Sequence, residues 1–255
     1  MRHAGVLRID HVMGLARLFW IPDGGTGADG AYVAYPFADL LGQVALESVR
    51  AGCMVVGEDL GNVPVGLRPA LTEADILGYR ILLFERDGQR LKRPALYPAR
   101  AAACVTTHDL PPLGGWWEGA DIEERAVLGL LQPGRDEAAE RAVERAALVE
   151  ALVAEGCLAR PASGTPPVAE VVAGAHAFVA ATPADVMLVQ ADDLAGMRRG
   201  VNMPGTDTER PNWRRRLPTP VDALLTGDAA QTILRAVRDG GRRARSGGIA
   251  SNQSS

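Results

Sequence analysis

The sequence has no run of about 18 apolar residues, so no segment reads as a helix able to cross a bilayer. Its first residues lack the apolar stretch and small-residue cleavage site of a secretory signal. Cysteine is scarce. Cys53, Cys104 and Cys157 are well separated, and no C-x-x-C occurs. An odd number of scattered thiols argues against a disulfide framework or a thiolate metal site, and favours unbridged core cysteines in a reducing cytoplasm. A basic excess is missing too. Lys and Arg number 27 against 31 Asp and Glu, for a formal charge of −4. That argues against nucleic-acid or membrane-surface partners, which call for a basic face. No internal repeat and no clean domain boundary stand out.

What is present points to a globular α/β protein. Of 255 residues 47% are hydrophobic, enough for a sizeable core. Five short, apolar, non-alternating runs read as strands: Gly5–Asp10, Cys53–Glu58, Arg80–Glu85, Ala102–Thr107 and Asp185–Gln190. Such runs suit parallel strands buried on both faces. Helical patterns cover Pro36–Ala51, Val63–Asp75, Asp121–Leu131, Asp136–Glu155 and Val168–Ala181. The alternation predicts βα units on a parallel sheet. Pro22–Pro36 reads as a Gly-rich loop, and Pro161–Pro167 as a second. GGTGADG in the first does not follow a strand and open a helix, so it fails as a dinucleotide turn. Residues 240–255 carry one large apolar side chain, Ile249, and read as a disordered tail.

Three of the strand runs end in polar clusters. The first ends Arg8-Ile9-Asp10-His11, the second Gly57-Glu58-Asp59 and the fourth Thr106-Thr107-His108-Asp109. An acidic residue after a strand often only caps a helix or makes a turn. Many charged groups on one side of a sheet are costly to bury without a ligand, however. The C-terminal strand ends of parallel barrels face the active site. Carboxylates gathered there suit retaining glycoside chemistry, in which two of them stand about 5 Å apart. One attacks the anomeric carbon, and the other passes a proton to the leaving oxygen and later takes one from the incoming nucleophile. A third can hold sugar hydroxyls and stabilise the oxocarbenium-like transition state. Side chains alternate along a strand, so Arg8 and Asp10 point the same way.

The stretches LRIDHVMGLARLFWIP, GAYVAYP, VVGEDLG, TTHDLPPLGGWW and VNMPGTDTERPNWRRRL resemble the 4-α-glucanotransferase (amylomaltase, disproportionating enzyme) family, in its order and at plausible spacing. The resemblance implies a (β/α)8 barrel of the α-amylase superfamily. It implies Asp10 as nucleophile, Glu58 as general acid/base and Asp109 as transition-state stabiliser. It implies Arg8 and His108 as contacts to the attacked glucose. The reaction would move an α-1,4-glucan segment from a malto-oligosaccharide donor to the 4-hydroxyl of a glucan or glucose acceptor. No cofactor is implied.

Other residues admit two readings. Trp20, Trp116, Trp117 and Trp213 could stack on sugar rings or pack in the core. Tyr32, in the Gly-rich loop, is a candidate substrate contact, as are Asp59, on the same side as the carboxylates, and Asn202 in VNMPGT. Asp192-Asp193 could start a helix or fix the site. Arg214–Arg216 read as ion-pair partners. His11 either points into the site beside Asp10 or only packs or makes a backbone bond. His3 and His176 have no partner pattern, and no metal site is supported.

The family's nucleophile lies on the fourth barrel strand, whereas the corresponding strand opens this chain. Five strands fit strands four to eight. The expected fold is therefore the C-terminal part of a (β/α)8 barrel over 1–239, with the tail at 240–255. Five strands would leave two open edges. An inactive or glucan-binding half-barrel, and an α-glucan hydrolase, stand as alternatives to the transferase. Localisation is expected to be cytoplasmic, and no oligomeric state follows from the residues.

Overall fold

The computed structural model describes residues 1–241; the expected tail lies outside the described residues from position 242 on. The chain divides into two compact units. The first comprises Met1–Thr106 and Thr182–Leu188. It holds β1 (Val6–Ile9), β2 (Arg17–Trp20), β3 (Ala31–Ala34), α1 (Phe37–Ala51), β4 (Met54–Gly57), α2 (Leu67–Glu73), β5 (Leu77–Ile81), β6 (Arg86–Asp87), β7 (Arg90–Leu91), β8 (Ala101–Cys104) and β9 (Val186–Leu188).

Its centre is a five-stranded sheet in the order β1-β4-β5-β8-β9, every pair parallel. Each strand of this sheet lies beside the sheet's preceding strand in chain order, as successive crossovers of one hand require. The apolar runs are buried as their lack of alternation implies: Ala101, Ala102 and Ala103 are wholly inaccessible. Beneath β1 and β4, the helices α1 and α2 contribute Leu41, Leu67 and Leu71 to a cluster with Val12, Met13, Val55 and Ile76. Gly52, with φ 58°, ends α1 in the left-handed conformation that glycine adopts without strain.

Two differences from the sequence reading have clear causes. The third strand is Leu77–Ile81, not Arg80–Glu85. The apolar run Ile81–Phe84 imitates a strand, but the N–H groups of Phe84 and Glu85 turn back onto Ile81 O at 2.9 and 3.1 Å. The true strand hides its signal behind Gly78 and Arg80, with Leu77, Tyr79 and Ile81 facing inward. The Gly-rich loop is also more ordered than expected. Its end, β3, pairs antiparallel with β2, Arg17 opposite Ala34 and Trp20 opposite Ala31. A capping box between Thr26 and Asp29 closes the connection. Gly30 is needed there, because a Cβ would sit 2.4 Å from the Phe19 ring.

The second unit comprises Thr107–Ala181 and the chain from Val189 on. It is helical: α3 (Leu113–Glu118), α4 (Ala120–Val127), α5 (Glu137–Ala154), α6 (Val168–Ala180), α7 (Ala191–Leu194) and α8 (Asp228–Asp239). The expected start of α5 holds, since Asp136 caps it by accepting the Ala139 N–H at 3.0 Å. α4 stops short of the expected Leu131, before Gly129 at φ 69°. α3 and α8 go beyond the sequence reading, and α7 holds Asp192-Asp193, one of the two readings open for that pair. α6 is the core helix, with Val171, Ala175, Phe178 and Val179 fully buried, and it packs on α3, α5 and α8.

Candidate active site

In the first unit, the C-terminal ends of β1 and β4 are tied together. Glu58 N–H donates to Ile9 O, and Val12 N–H donates to Glu58 O, both at 2.9 Å. Between them the chain turns through His11, whose φ of 47° is left-handed and uncommon for a side-chain-bearing residue. That turn aims the His11 N–H at Glu58 Oε2, 2.9 Å away. Leu60 N–H fills Oε1 at 2.6 Å. Glu58 is thus fixed by backbone donors on both oxygens while its residue stays 9% exposed. His11 therefore serves the site through its main chain.

Asp10 tops β1, and its side chain is 67% exposed. Arg8 Nη1 donates to Asp10 Oδ1 at 2.8 Å, as the alternation along the strand requires. Arg8 also stacks over the Tyr79 ring, 4.9 Å from its centroid, which braces the guanidinium from below. Nothing in the sequence named Tyr79, because only the parallel pairing brings β5 near β1.

Asp59 differs from its neighbours. Its side chain is 1% exposed. Oδ1 accepts Tyr79 N–H at 2.8 Å and Arg80 Nη1 at 2.9 Å, and Oδ2 accepts Arg68 Nε at 2.7 Å. Burial alone would push this carboxyl up, but the Tyr79 N–H, Arg80 and Arg68 together hold it below the usual carboxylate range. Arg80 continues to Glu85, and Glu85 to Lys92 at 2.8 Å. Asp59 is saturated by protein donors. It fastens α2 and β5 to the end of β4 rather than offering an oxygen to a ligand.

The β2–β3 hairpin carries exposed aromatics. Trp20 Nε1 donates to Tyr35 Oη at 3.0 Å. Phe19 meets Tyr32 edge-on at 5.2 Å, and Arg17 stacks on Tyr32 at 4.0 Å. Trp20 and Tyr32 remain about half exposed, as surfaces for apolar ring faces would be.

In the second unit, Asp109 is bracketed. Asn202 Nδ2 donates to Oδ1 at 2.6 Å, His108 Nε2 lies 3.3 Å from Oδ2, and Asp109 N–H donates to Thr107 Oγ1 at 3.2 Å. The His108 ring lies 5.4 Å from that of Trp213. Trp213 has φ 61°, a genuine outlier for a bulky residue, held by its N–H on Val201 O at 2.9 Å. Buried Arg210 and half-buried Asn212 organise this Gly200–Trp213 segment: Arg210 Nη2 donates to Gly200 O at 2.6 Å, and Asn212 Oδ1 accepts Met203 N–H at 3.1 Å. Of the other tryptophans, Trp116 and Trp117 are buried in α3.

A profile of the family described as 4-alpha-glucanotransferase matches residues 1–222. The chain belongs to that family. Relatives of the same description include a Haemophilus influenzae protein, 36% identical over 251 residues, covering 94% of this chain and 35% of the relative. A Mycobacterium tuberculosis 4-alpha-glucanotransferase is 41% identical over 252 residues, covering 93% and 34%. Among solved structures, an amylomaltase from Corynebacterium glutamicum matches with TM-score 0.85 and 34% identity, over 92% of this chain and 36% of that one. An amylomaltase from Streptococcus agalactiae in complex with acarbose shares the fold at TM-score 0.65 and 20% identity. The chain spans about a third of the length of the curated relatives it matches.

The likeness to the Corynebacterium glutamicum amylomaltase, of which this chain covers 36%, makes the curled parallel sheet part of a (β/α)8 barrel. Among the described residues, no group of three or more His, Cys, Asp and Glu side chains could hold a metal ion, and no helix is long and apolar enough to cross a membrane.

Proposed function

We propose that this 4-alpha-glucanotransferase chain transfers α-1,4-glucan segments between malto-oligosaccharides by double displacement. Asp10 attacks the anomeric carbon, and the glycosidic oxygen leaves with a proton from Glu58. The resulting glycosyl ester on Asp10 is then attacked by the 4-hydroxyl of a glucan or glucose acceptor. Glu58 takes that hydroxyl's proton as Asp10 departs. Asp109 stabilises the oxocarbenium-like transition state, and Arg8, His108, Tyr32, Trp20 and Asn202 contact sugar. Asp59 takes a positioning role. No step calls for a cofactor. A cytoplasmic location belongs to the same reading and is supported by three cysteines outside any disulfide.

The observation that carries the reading is the clamp on Glu58. Backbone donors on both oxygens fix it beside the turn that follows Asp10, on the C-terminal ends of adjacent parallel strands. This is the strand end at which barrel enzymes act. A glucan-binding module without turnover is the second reading, favoured by the half-exposed Trp20 and Tyr32 on the β2–β3 hairpin.

Incubating the 255-residue chain with maltotriose and resolving the products tests both. Transfer gives a ladder of shorter and longer glucans, lost by about a thousandfold or more in Asp10→Asn. A ladder that survives Asp10→Asn and Glu58→Gln refutes the site. Reducing-end gain without longer products indicates hydrolysis. Maltotriose binding without products indicates the module.

A further inference from the structure

His176, in the middle of α6, and Asp193, in α7, form a buried pair that the proposed chemistry does not use. Both side chains are 1% exposed. His176 Nδ1 lies 2.8 Å from Val172 O. A carbonyl only accepts, so Nδ1 carries the ring proton and Nε2 of the neutral ring is an acceptor. That Nε2 lies 3.6 Å from Asp193 Oδ2, and neither atom has a hydrogen-bond partner among the described residues. Two buried bare acceptors facing each other would repel, and a proton on the carboxyl turns the contact attractive. Burial, the largest cause for each, pushes Asp193 up to about 7 and His176 down to about 4. The charged groups nearby are Asp192, Arg198 and Asp228 on α8. Arg198 pairs with Glu118. Asp193, Arg198 and Asp228 line a cavity of about 280 Å3.

The other carboxylate oxygen reaches forward. Asp193 Oδ1 accepts the Leu113 N–H, the first of α3, at 2.8 Å. Only Leu110, Pro111 and Pro112 separate Leu113 from Asp109, and each proline fixes its φ. A stiff link of this kind passes the placement of Leu113 to Asp109.

We propose that Asp193 is a positioning residue: as a protonated carboxyl it bridges His176 and the Leu113 N–H, and so fixes the segment carrying His108 and Asp109. Its catalytic consequence rests on the glucan-transfer reading. The pair also carries one proton in either state. Unfolded, between pH about 4 and 6.5, the proton is on the imidazole; folded, it is on the carboxyl. The two pH dependences cancel there. Asp193 alone would give stability present below 3.8 and lost as pH rises through about 7. His176 alone would give stability present above 6.5 and lost as pH falls through about 4.

The test compares Asp193→Asn with Asp193→Ala in the full chain. Asparagine keeps both contacts, Oδ1 accepting and Nδ2–H donating, whereas alanine keeps neither. In alanine, amide exchange at Leu113 and Asp109 should quicken about tenfold or more, while asparagine stays within about twofold of the wild type. The His176 nitrogens should report the Nδ1–H tautomer from about pH 5 to 7 in wild type and asparagine alike. Turnover should fall about tenfold in alanine with KM for maltotriose little changed, and asparagine should restore it. Asparagine exchanging as fast as alanine, a doubly protonated ring near neutral pH, or alanine with unchanged exchange and turnover would each overturn the proposal. Should alanine fail to fold, the alkaline limb decides. Leu113 protection should drop above pH about 7 in the wild type but not in asparagine, and equal drops refute it. Absence of all glucan transfer would defeat the functional reading alone, since exchange and nitrogen shifts still judge the pairing.

Discussion

Gly57 is the residue on which the Glu58 clamp depends most narrowly. It sits at the end of β4, and a Cβ there would meet three atoms of the Val12 side chain at 3.0 to 3.2 Å. Val12 is fully buried and also donates its N–H to Glu58 O, so it has little room to retreat. Gly57→Ala should cost about 1–3 kcal/mol of stability by overpacking, read from urea unfolding. It should also lower glucan transfer several-fold at a temperature where the variant remains folded. Asp59, one residue beyond Glu58, has a different vulnerability. Removing it in Asp59→Ala leaves the guanidinium of Arg80, itself 15% exposed, with only the longer 3.7 Å carboxylate contact to Glu85. The expected loss is about 3–5 kcal/mol, the usual scale for breaking a buried pair from one side. The sign of its pH dependence follows from its lowered pKa. Its contribution is present above the ordinary value of 3.8 and is lost as pH falls through the lower folded value. Acid titration of stability should therefore be shallower in Asp59→Asn than in the wild type.

At the scale of elements, α5 gives the cleanest check. Its charged face is solvated, and Asp136 is its one side-chain cap. Asp136→Ala should cost about 1 kcal/mol, measured as a shift in the thermal midpoint. α5, α6 and four of the five sheet strands were legible because each signal is local: a cap, a period or an apolar run bounded by turns. β5 was misplaced by three residues because the run after it is the more hydrophobic and yet turns back on Ile81. The β2–β3 hairpin was hidden by its exposure, since Phe19, Trp20 and Tyr32 face solvent and give no inside–outside alternation. The candidate site divides the same way. Asp10, Glu58 and Asp109 stand out because each ends an apolar run. Their partners do not: Tyr79 under Arg8, Trp213 beside His108 and Asp193 opposite His176 lie far away in the chain. No local pattern encodes such pairings. His176 looked partnerless for that reason, and Asp193 was ambiguous between a helix start and a support for the site.

For the molecule as a whole, the thiols give a global probe. Cys53 and Cys104 are buried, and Cys157 is half-buried with its thiol pushed up by burial and by Glu155. A thiol reagent should modify the native chain slowly, at Cys157 first, and titrate three groups after denaturation. Fast labelling of Cys104 would contradict the packing of β8. That strand has a further meaning. It lies between β5 and β9 and consists of Ala101, Ala102, Ala103 and Cys104, with no side chain large enough to yield a cavity by being trimmed. Its neighbours close on alanine methyls from both faces. In a deep mutational scan of this chain, these positions should accept glycine or serine at most, so its evolutionary freedom lies elsewhere, in the hairpin and the solvated face of α5.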